Sequence, residues 1–357
     1  MPAGIFSRQP EKRTEKNRLT TTHPNFVWND CMKIELSSVC EIALTDIDPV
    51  DRLTDFSLDG CPEKLMDSVK VIGIRHPVSV CPSGEHYALV SGHKRFQAAS
   101  RSGLTHIPAF IIPEIDDASR LIVNLNENFG QRHYSDIEKG IILNKFKDAG
   151  IAESVIIDQH MPLLELERSK KLLADFFSVN KLGQGLQKLL HNAKIPLKTV
   201  RIFYHWDAQS LSLAENLFRT LKPGANKWKE LLELIDEIAH RDEVTPGHLL
   251  SNPTLQTILD ESELAAPQKY GKIYPHLYNQ RYPVLSELKK QVARAQDEMA
   301  LDDKTRFKFQ ESFESNELKL ELKFHSEKEL SNQVEKIFQA LQTGAVEKLI
   351  RIFQNIG

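Results

Sequence analysis

Cysteine is scarce in this chain, four in 357 residues, at Cys31, Cys40, Cys61 and Cys81, and no two form a CxxC pair. That spacing excludes the common zinc frameworks and suits reduced thiols in a cytoplasm. No apolar run approaches the ~18 residues of a membrane span, so no membrane partner is expected. Residues 1–30 lack an apolar h-region and are polar, with many Lys, Arg and Thr; they read as a disordered arm and not as an export signal. A surplus of positive charge is missing too. With 46 Lys and Arg against 49 Asp and Glu the net charge is −3, which excludes a uniformly basic nucleic-acid binder and permits a local basic face. Paired Asp/Glu motifs of the kind that hold metals in nucleases are also absent. What is present, 41% hydrophobic and 27% charged residues, describes a globular chain long enough for two or three domains of ~100–200 residues.

One segment stands out. The apolar strand His86–Val90 runs into SGHKRFQAA, 91–99, which opens a helix ending near Gly103. The first N–H groups of a helix lack intrahelical partners and carry the positive end of its dipole, and Gly92 lets the backbone approach a ligand. Lys94 and Arg95 add full charges, so the turn is a candidate anion site. Around it the pattern is α+β. Short strands are expected at Lys33–Leu36, Cys40–Leu44, Pro77–Cys81 and Ile107–Ile112, and a helix running from Pro62 to Lys70.

From Asp116 onward helical signals take over. Asp116 can cap a helix through Asn126, and Ser135 with Glu138 forms a capping box. Further helices are predicted over Glu153–His160, Glu165–Phe177, Gln184–Asn192, Leu197–His205, Ser210–Leu221 and Asn226–Arg241. Between His160 and Trp206 eight basic residues face three acidic ones, a local balance of +5. Tyr270, Tyr274, Tyr278 and Tyr282 then recur every four residues. Pro275 and Pro283 oppose a continuous helix there, so residues 251–283 read as a packed linker. At the end, a helix over Val284–Met299 precedes two strands, Arg306–Gln310 and Glu317–Phe324, and a helix with an apolar stripe at Leu330, Val334, Ile337, Phe338 and Leu341. Val346, Leu349, Ile350 and Phe353 continue that stripe. A two-stranded ribbon is marginal alone, so this module is expected to complete its core with a second copy.

Three segments stand in order: GIRHPVSV at 73–80, GHKRFQAA at 92–99 and ENFGQRHYSDIE at 127–138. Together they resemble the ParB N-terminal domain, whose members partition chromosomes and plasmids. The resemblance implies a small mixed-sheet, sulfiredoxin-like domain over 31–133, a mainly helical DNA-binding domain with a helix-turn-helix-like element over 134–250, and a β-β-α dimerisation module over 284–357. It implies CTP bound by Gly73, Pro77, Gly92, His93, Lys94, Arg95, Asn128, Gln131 and Arg132, with Mg2+ on Glu127 and Asn128. Double-stranded DNA would meet Arg168, Ser169, Lys170, Lys171, Lys181 and Lys188. The chain would then be a cytoplasmic, nucleoid-associated homodimer acting as a nucleotide-dependent DNA clamp, with a partition ATPase as a further candidate partner. Two departures bear on this. The family's GERR reads GHKR here, His93 standing for the glutamate, which leaves hydrolysis open; and Gln131–Arg132 lies one residue later than in the family. A serine-type kinase or other phosphotransferase on the same fold, with a similar G-H-x-R segment, is the alternative, and a nuclease a weaker one.

Overall fold

The computed structural model describes residues 38–310, 313 and 315–355. The expected arm, Cys31 and the strand at Lys33–Leu36 lie outside them.

The N-terminal part is built on a four-stranded sheet in the order β1-β4-β2-β3. Its strands are β1 (Cys40–Ala43), β2 (Val78–Ser83), β3 (His86–Ser91) and β4 (His106–Ile111). β2 and β3 form a hairpin closed at Gly84, while β2 and β4 run parallel with Val78 opposite Ala109. Parallel neighbours need a crossover. Here it is β3 followed by α2 (His93–Arg101). α1 (Glu63–Ile72) and α2 cover one face, on Val78, Val80, Leu89 and Ile107, and α3 (Asp117–Asn128) lies against the other, on Cys81, Ala88, Val90 and Ile112. Both faces being covered, residues 78–81 of β2 and 88–91 of β3 are buried in succession on both sides.

The middle is helical. α4 (Asp136–Asp148) starts at the predicted capping box of Ser135 and Glu138 and is buried on nearly every side. Gly140 permits this, because a Cβ there would lie 2.7 Å from the Val179 side chain. α5 (Glu153–Val155), a π-helical turn (Ile156–His160) and α6 (Met161–Leu163) make one continuous run. α7 (Lys170–Phe177), α8 (Gln184–Asn192), α9 (Leu197–Val200), α10 (Ala208–Thr220), α11 (Ala225–Arg241) and α12 (Pro246–Leu250) complete a core around Phe146, Phe176, Phe203 and Trp228. Phe56, Leu121 and Leu125, from the N-terminal part, are buried in the same core.

Two sequence expectations need correcting here. The helix expected from Glu165 begins at Lys170: Glu165 has φ 58 and closes the preceding run, its N–H on the Pro162 carbonyl, and Ser169 caps α7 by accepting from Leu172 N–H. The run expected to end at His160 continues through Pro162 to Leu163. The expected linker is mostly helix, α13 (Pro253–Asp260) and α14 (Ala266–Arg281), with Pro275 inside α14. Packing outweighs the proline. Ile273 and Leu277 are buried in the helical core, and the four tyrosines lie ring on ring along α14 at centroid spacings of 5.6, 6.1 and 5.0 Å.

The C-terminal part comprises α15 (Pro283–Glu298), antiparallel β5 (Thr305–Lys308) and β6 (Lys319–Leu322), α16 (Glu327–Gln342) and α17 (Ala345–Gln354). The apolar stripe divides at Gly344. Val346, Leu349 and Phe353 of α17 pack with Val292, Ala295 and Met299, whereas Val334, Phe338 and Leu341 of α16 stay exposed, as do Ile350, Leu320 and Phe324.

Candidate nucleotide site

The turn between β3 and α2 has the geometry that the sequence suggests. Gly92 is the N-cap of α2 in the left-handed region, φ 98, and no side chain caps the first turn. It must be glycine for a second reason: a Cβ would stand 2.6 Å from Val78 Cγ1. The first N–H groups of α2 therefore sit at the end of the buried strand β3 without intrahelical acceptors. His93 and Lys94 are half-buried on that turn. The ammonium of Lys94 is near enough to Asp59 to help hold its carboxyl below the ordinary range, after the larger effect of a hydrogen bond from His191.

Arg95 does something the sequence does not reveal. Its guanidinium donates to the carbonyls of His76, at 2.8 Å, and Pro77, tying the GIRHP segment to the phosphate turn. Gly73, at φ 69, ends α1 and turns the chain toward those carbonyls. Burial lowers the Arg95 pKa and Glu127 opposes the shift, so the two side chains share one locality. Glu127, on the last turn of α3, accepts from Ser79 Oγ at 3.2 Å. The Asn128 amide nitrogen donates to the Asn124 carbonyl at 2.8 Å, which leaves the amide oxygen as the ligand atom. A carboxylate and an amide oxygen are hard donors of the kind Mg2+ takes alongside phosphate oxygens.

His93 faces inward, its Nε2 3.4 Å from Thr54 Oγ1. Burial drives its pKa down to about 4, with Asp55 pulling the other way, so the ring is neutral at pH 7. Arg132 is engaged by other groups: it pairs with Glu138 Oε1 at 2.7 Å and lies 4.7 Å from the Tyr134 ring centroid. The cause is Glu138 itself. It is 2% exposed and also accepts from Leu58 and Ser135 N–H, and a buried carboxylate without a cation would be costly. Gln131 is exposed, one residue away. Asp59, Glu138 and His191 are, among the described residues, the one group of three whose ligand atoms are close enough to share an ion. Those atoms are engaged with one another and with Ser135 and Arg132, His191 Nε2 lying 2.9 Å from Asp59 and its Nδ1 2.8 Å from Ser135 Oγ.

The expected DNA-facing residues gather around α7 and α8. Ser169 is the N-cap; Lys170 and Lys171 stand on the first turn of α7; Lys181 and Lys188 are exposed nearby in sequence, before and on α8. Arg168 is exposed but its Nε donates to the Asp158 carbonyl at 3.2 Å, in the π-helical turn. Thr54, Asp59, Ser79, Lys145 and His191 escaped the sequence reading. Tertiary packing alone brings them to the site, and only Ser79, inside GIRHPVSV, carried any local signal.

Comparison with known proteins identifies the N-terminal domain. The model of the ParB N-terminal domain matches residues 31–129. The chain carries a ParB N-terminal domain. A probable chromosome-partitioning protein ParB from Neisseria meningitidis is 26% identical over 190 residues, covering 52% of this chain and 62% of the relative. Its counterpart from Coxiella burnetii is 34% identical over 177 residues, covering 43% and 60%. The chain thus spans less than two thirds of the length of these ParB relatives. Among solved structures, C-terminally truncated ParB from Caulobacter crescentus complexed with CTP-gamma-S is similar at 20% identity over 51% of this chain and 99% of that one, with a TM-score of 0.22. The same protein complexed to the centromeric parS site gives 17% over 54% and 98%, with a TM-score of 0.28. Such scores add no weight to the fold or to a ligand. No described helix is long and apolar enough to cross a membrane.

Proposed function

We propose that this ParB-like chain binds CTP with Mg2+ at the turn between β3 and α2, holds double-stranded DNA on the basic face around α7 and α8, and works as a homodimeric clamp in DNA partition. One observation carries the nucleotide reading: an uncapped helix start behind a left-handed glycine, with Lys94 on its first turn and Glu127 and Asn128 at the end of α3. Phosphates would lie on the first N–H groups of α2 and on Lys94; Glu127 and Asn128 would hold the cation, which when bound neutralises phosphate charge. Arg95 acts by shaping the turn, not by reaching the ligand. The choice of CTP comes from the resemblance of the three segments to the family. The exposed stripe of α16 is where a second copy would complete the C-terminal core. Nucleotide drives closure only in so far as it binds the closed arrangement more tightly than the open one.

Hydrolysis has no evident base at this turn, since His93 is engaged with Thr54. The test is calorimetric titration with CTP and Mg2+, using Lys94→Ala and Glu127→Gln as variants. Saturable binding abolished or weakened at least about tenfold in both is expected, Lys94→Ala removing a charged hydrogen bond worth ~1.5–3 kcal/mol and Glu127→Gln the anionic ligand of the cation. No heat with any nucleoside triphosphate refutes it. Turnover of a small hydroxyl substrate without DNA would favour the phosphotransferase instead.

A further inference from the structure

Residues 48–61 join β1 to α1, and they are held from two sides. Toward the sheet, the Thr54 hydroxyl donates to the Leu89 carbonyl at 2.7 Å and meets His93, while Cys61 Sγ lies 3.4 Å from the carbonyl of Lys94. Toward the helical part, Phe56 is 3% exposed inside the helical core, with Leu53 and Leu58 packed against it. Polar links on that side are Leu58 N–H on Glu138, Asp59 with His191 and, at the bend itself, Lys145 of α4. Its ammonium donates to the carbonyls of Arg52, Leu53 and Asp55 at 2.8, 2.8 and 2.9 Å and lies 5.5 Å from the Phe56 ring centroid. All three donor directions of one cation are therefore used to fix a single bend of backbone.

We infer that Lys145, a residue of the helical part, is a positioning residue for the phosphate turn, acting through the 52–56 bend, Thr54 and His93. The path is short: Lys145 to the bend, Thr54 in the bend to His93, and His93 as the first residue of α2. Removing the ammonium leaves three carbonyls without their shared donor, so the bend holds Thr54 beneath the turn less firmly, chiefly through the Thr54 hydroxyl on the Leu89 carbonyl. The inference rests on the reading of that turn as a nucleotide site. It implies that the site is built by both parts of the chain, so that any shift of α4 is felt at the phosphates.

The full chain is titrated with CTP and Mg2+. Lys145→Met is expected to weaken binding by at least about fivefold, because a smaller fraction of molecules holds the competent turn. Thr54→Val keeps the ammonium and cuts only the next link; it should weaken binding in the same direction. Lys147→Met, on the same helix, should stay within about twofold, as surface changes generally do. A pH profile separates positioning from general damage. Asp51, Asp55, Arg52 and His93 are the charged or titratable groups around Lys145, and burial brings its own pKa down to about 8. Wild-type affinity should therefore fall between pH 7 and 9 while Lys145→Met stays flat. Equal affinities, or equal pH slopes, overturn the inference. Amide exchange without nucleotide gives an independent reading: Lys145→Met should speed exchange at 93–96 together with 52–58, and unchanged 93–96 beside a loosened 52–58 also overturns it. A wild-type chain that takes up no CTP refutes the nucleotide reading, and the exchange pattern still decides the strap.

Discussion

Replacing Gly92 by alanine tests the geometry of the turn between β3 and α2 through stability alone. The new methyl faces two separate obstacles. At φ 98 an L side chain crowds its own backbone, at a cost of about 1–2 kcal/mol. In addition, the Cβ would stand 2.6 Å from Val78 Cγ1, and Val78 is fully buried and β-branched, so it has no free rotamer to retreat to. Overpacking of this kind costs about 1–3 kcal/mol. The sum, roughly 2–5 kcal/mol, is read as a lowered urea midpoint with unchanged slope. A double-mutant cycle then separates the parts. Val78→Ala removes the Cγ1 clash and leaves contacts of 3.0 Å to the Cβ of residue 78 and 3.1 Å to Arg95, so in its background Gly92→Ala should cost the backbone share and only part of the steric one, a coupling of about 1–2 kcal/mol in favour of the pair. A Gly92→Ala chain within about 0.5 kcal/mol of wild type would refute the whole argument, a limit at which surface changes lie. Strict additivity of the two changes would refute its steric half.

Four further outcomes are expected. His160 is 1% exposed, packed edge-on against Phe146, with its pKa driven by burial from 6.5 to about 4; the unfolded chain binds the proton first, so stability falls as pH drops from 6.5 toward 4, by up to roughly 3 kcal/mol. His160→Leu should flatten that slope in melting curves taken at pH 7 and 5, and an unchanged slope counts against it. Glu138→Ala, which strips the buried partner of Arg132 and the capping box of α4, should cost roughly 2–4 kcal/mol in urea unfolding, and Arg132→Ala a comparable amount because it leaves the buried carboxylate without its cation; a loss below about 1 kcal/mol in both counts against the pair. Lys170→Ala with Lys171→Ala should lower the slope of log affinity against log salt for duplex DNA by about 0.9 for each phosphate no longer neutralised, measured by fluorescence anisotropy; an unchanged slope removes these lysines from the interface. Phe338→Glu on the exposed stripe of α16 should convert a dimer to a monomer in light scattering, while a monomeric wild type would dismiss the second copy.

What the sequence made legible was local. Gly92 before HKR, the Asp116 cap and the Ser135–Glu138 box each shape a helix start within a few residues, so spacing alone announced them. The destinations of long cations were not legible. Arg95 and Arg132 looked alike, as charges near a phosphate site, but one is claimed by the carbonyls of residues 76 and 77 and the other by a carboxylate buried from a different element. Those needs exist only once the chain has folded. The helix at residues 266–281 was misread for a related reason: Pro275 is a local objection, and the burial of Ile273 and Leu277 that outweighs it is not local. Likewise the stripe over residues 330–353 is one pattern in sequence, yet Gly344 splits it into an exposed part on α16 and a buried part on α17.

The stacked tyrosines of α14 carry a mechanical meaning. A loose tether of similar length would let the C-terminal part wander, and the encounter of two copies would follow the statistics of a random coil. A 16-residue helix instead spans ~24 Å, and here it is pinned along its length, with Tyr270 hydrogen-bonded to the Lys227 carbonyl and Arg281 paired with Glu237. In the homodimer proposed above, such a strut would set the reach between the ends that pair and the ends that bind nucleotide. The opening left between them would then be a property of geometry, sized by helix length and not by solution conditions.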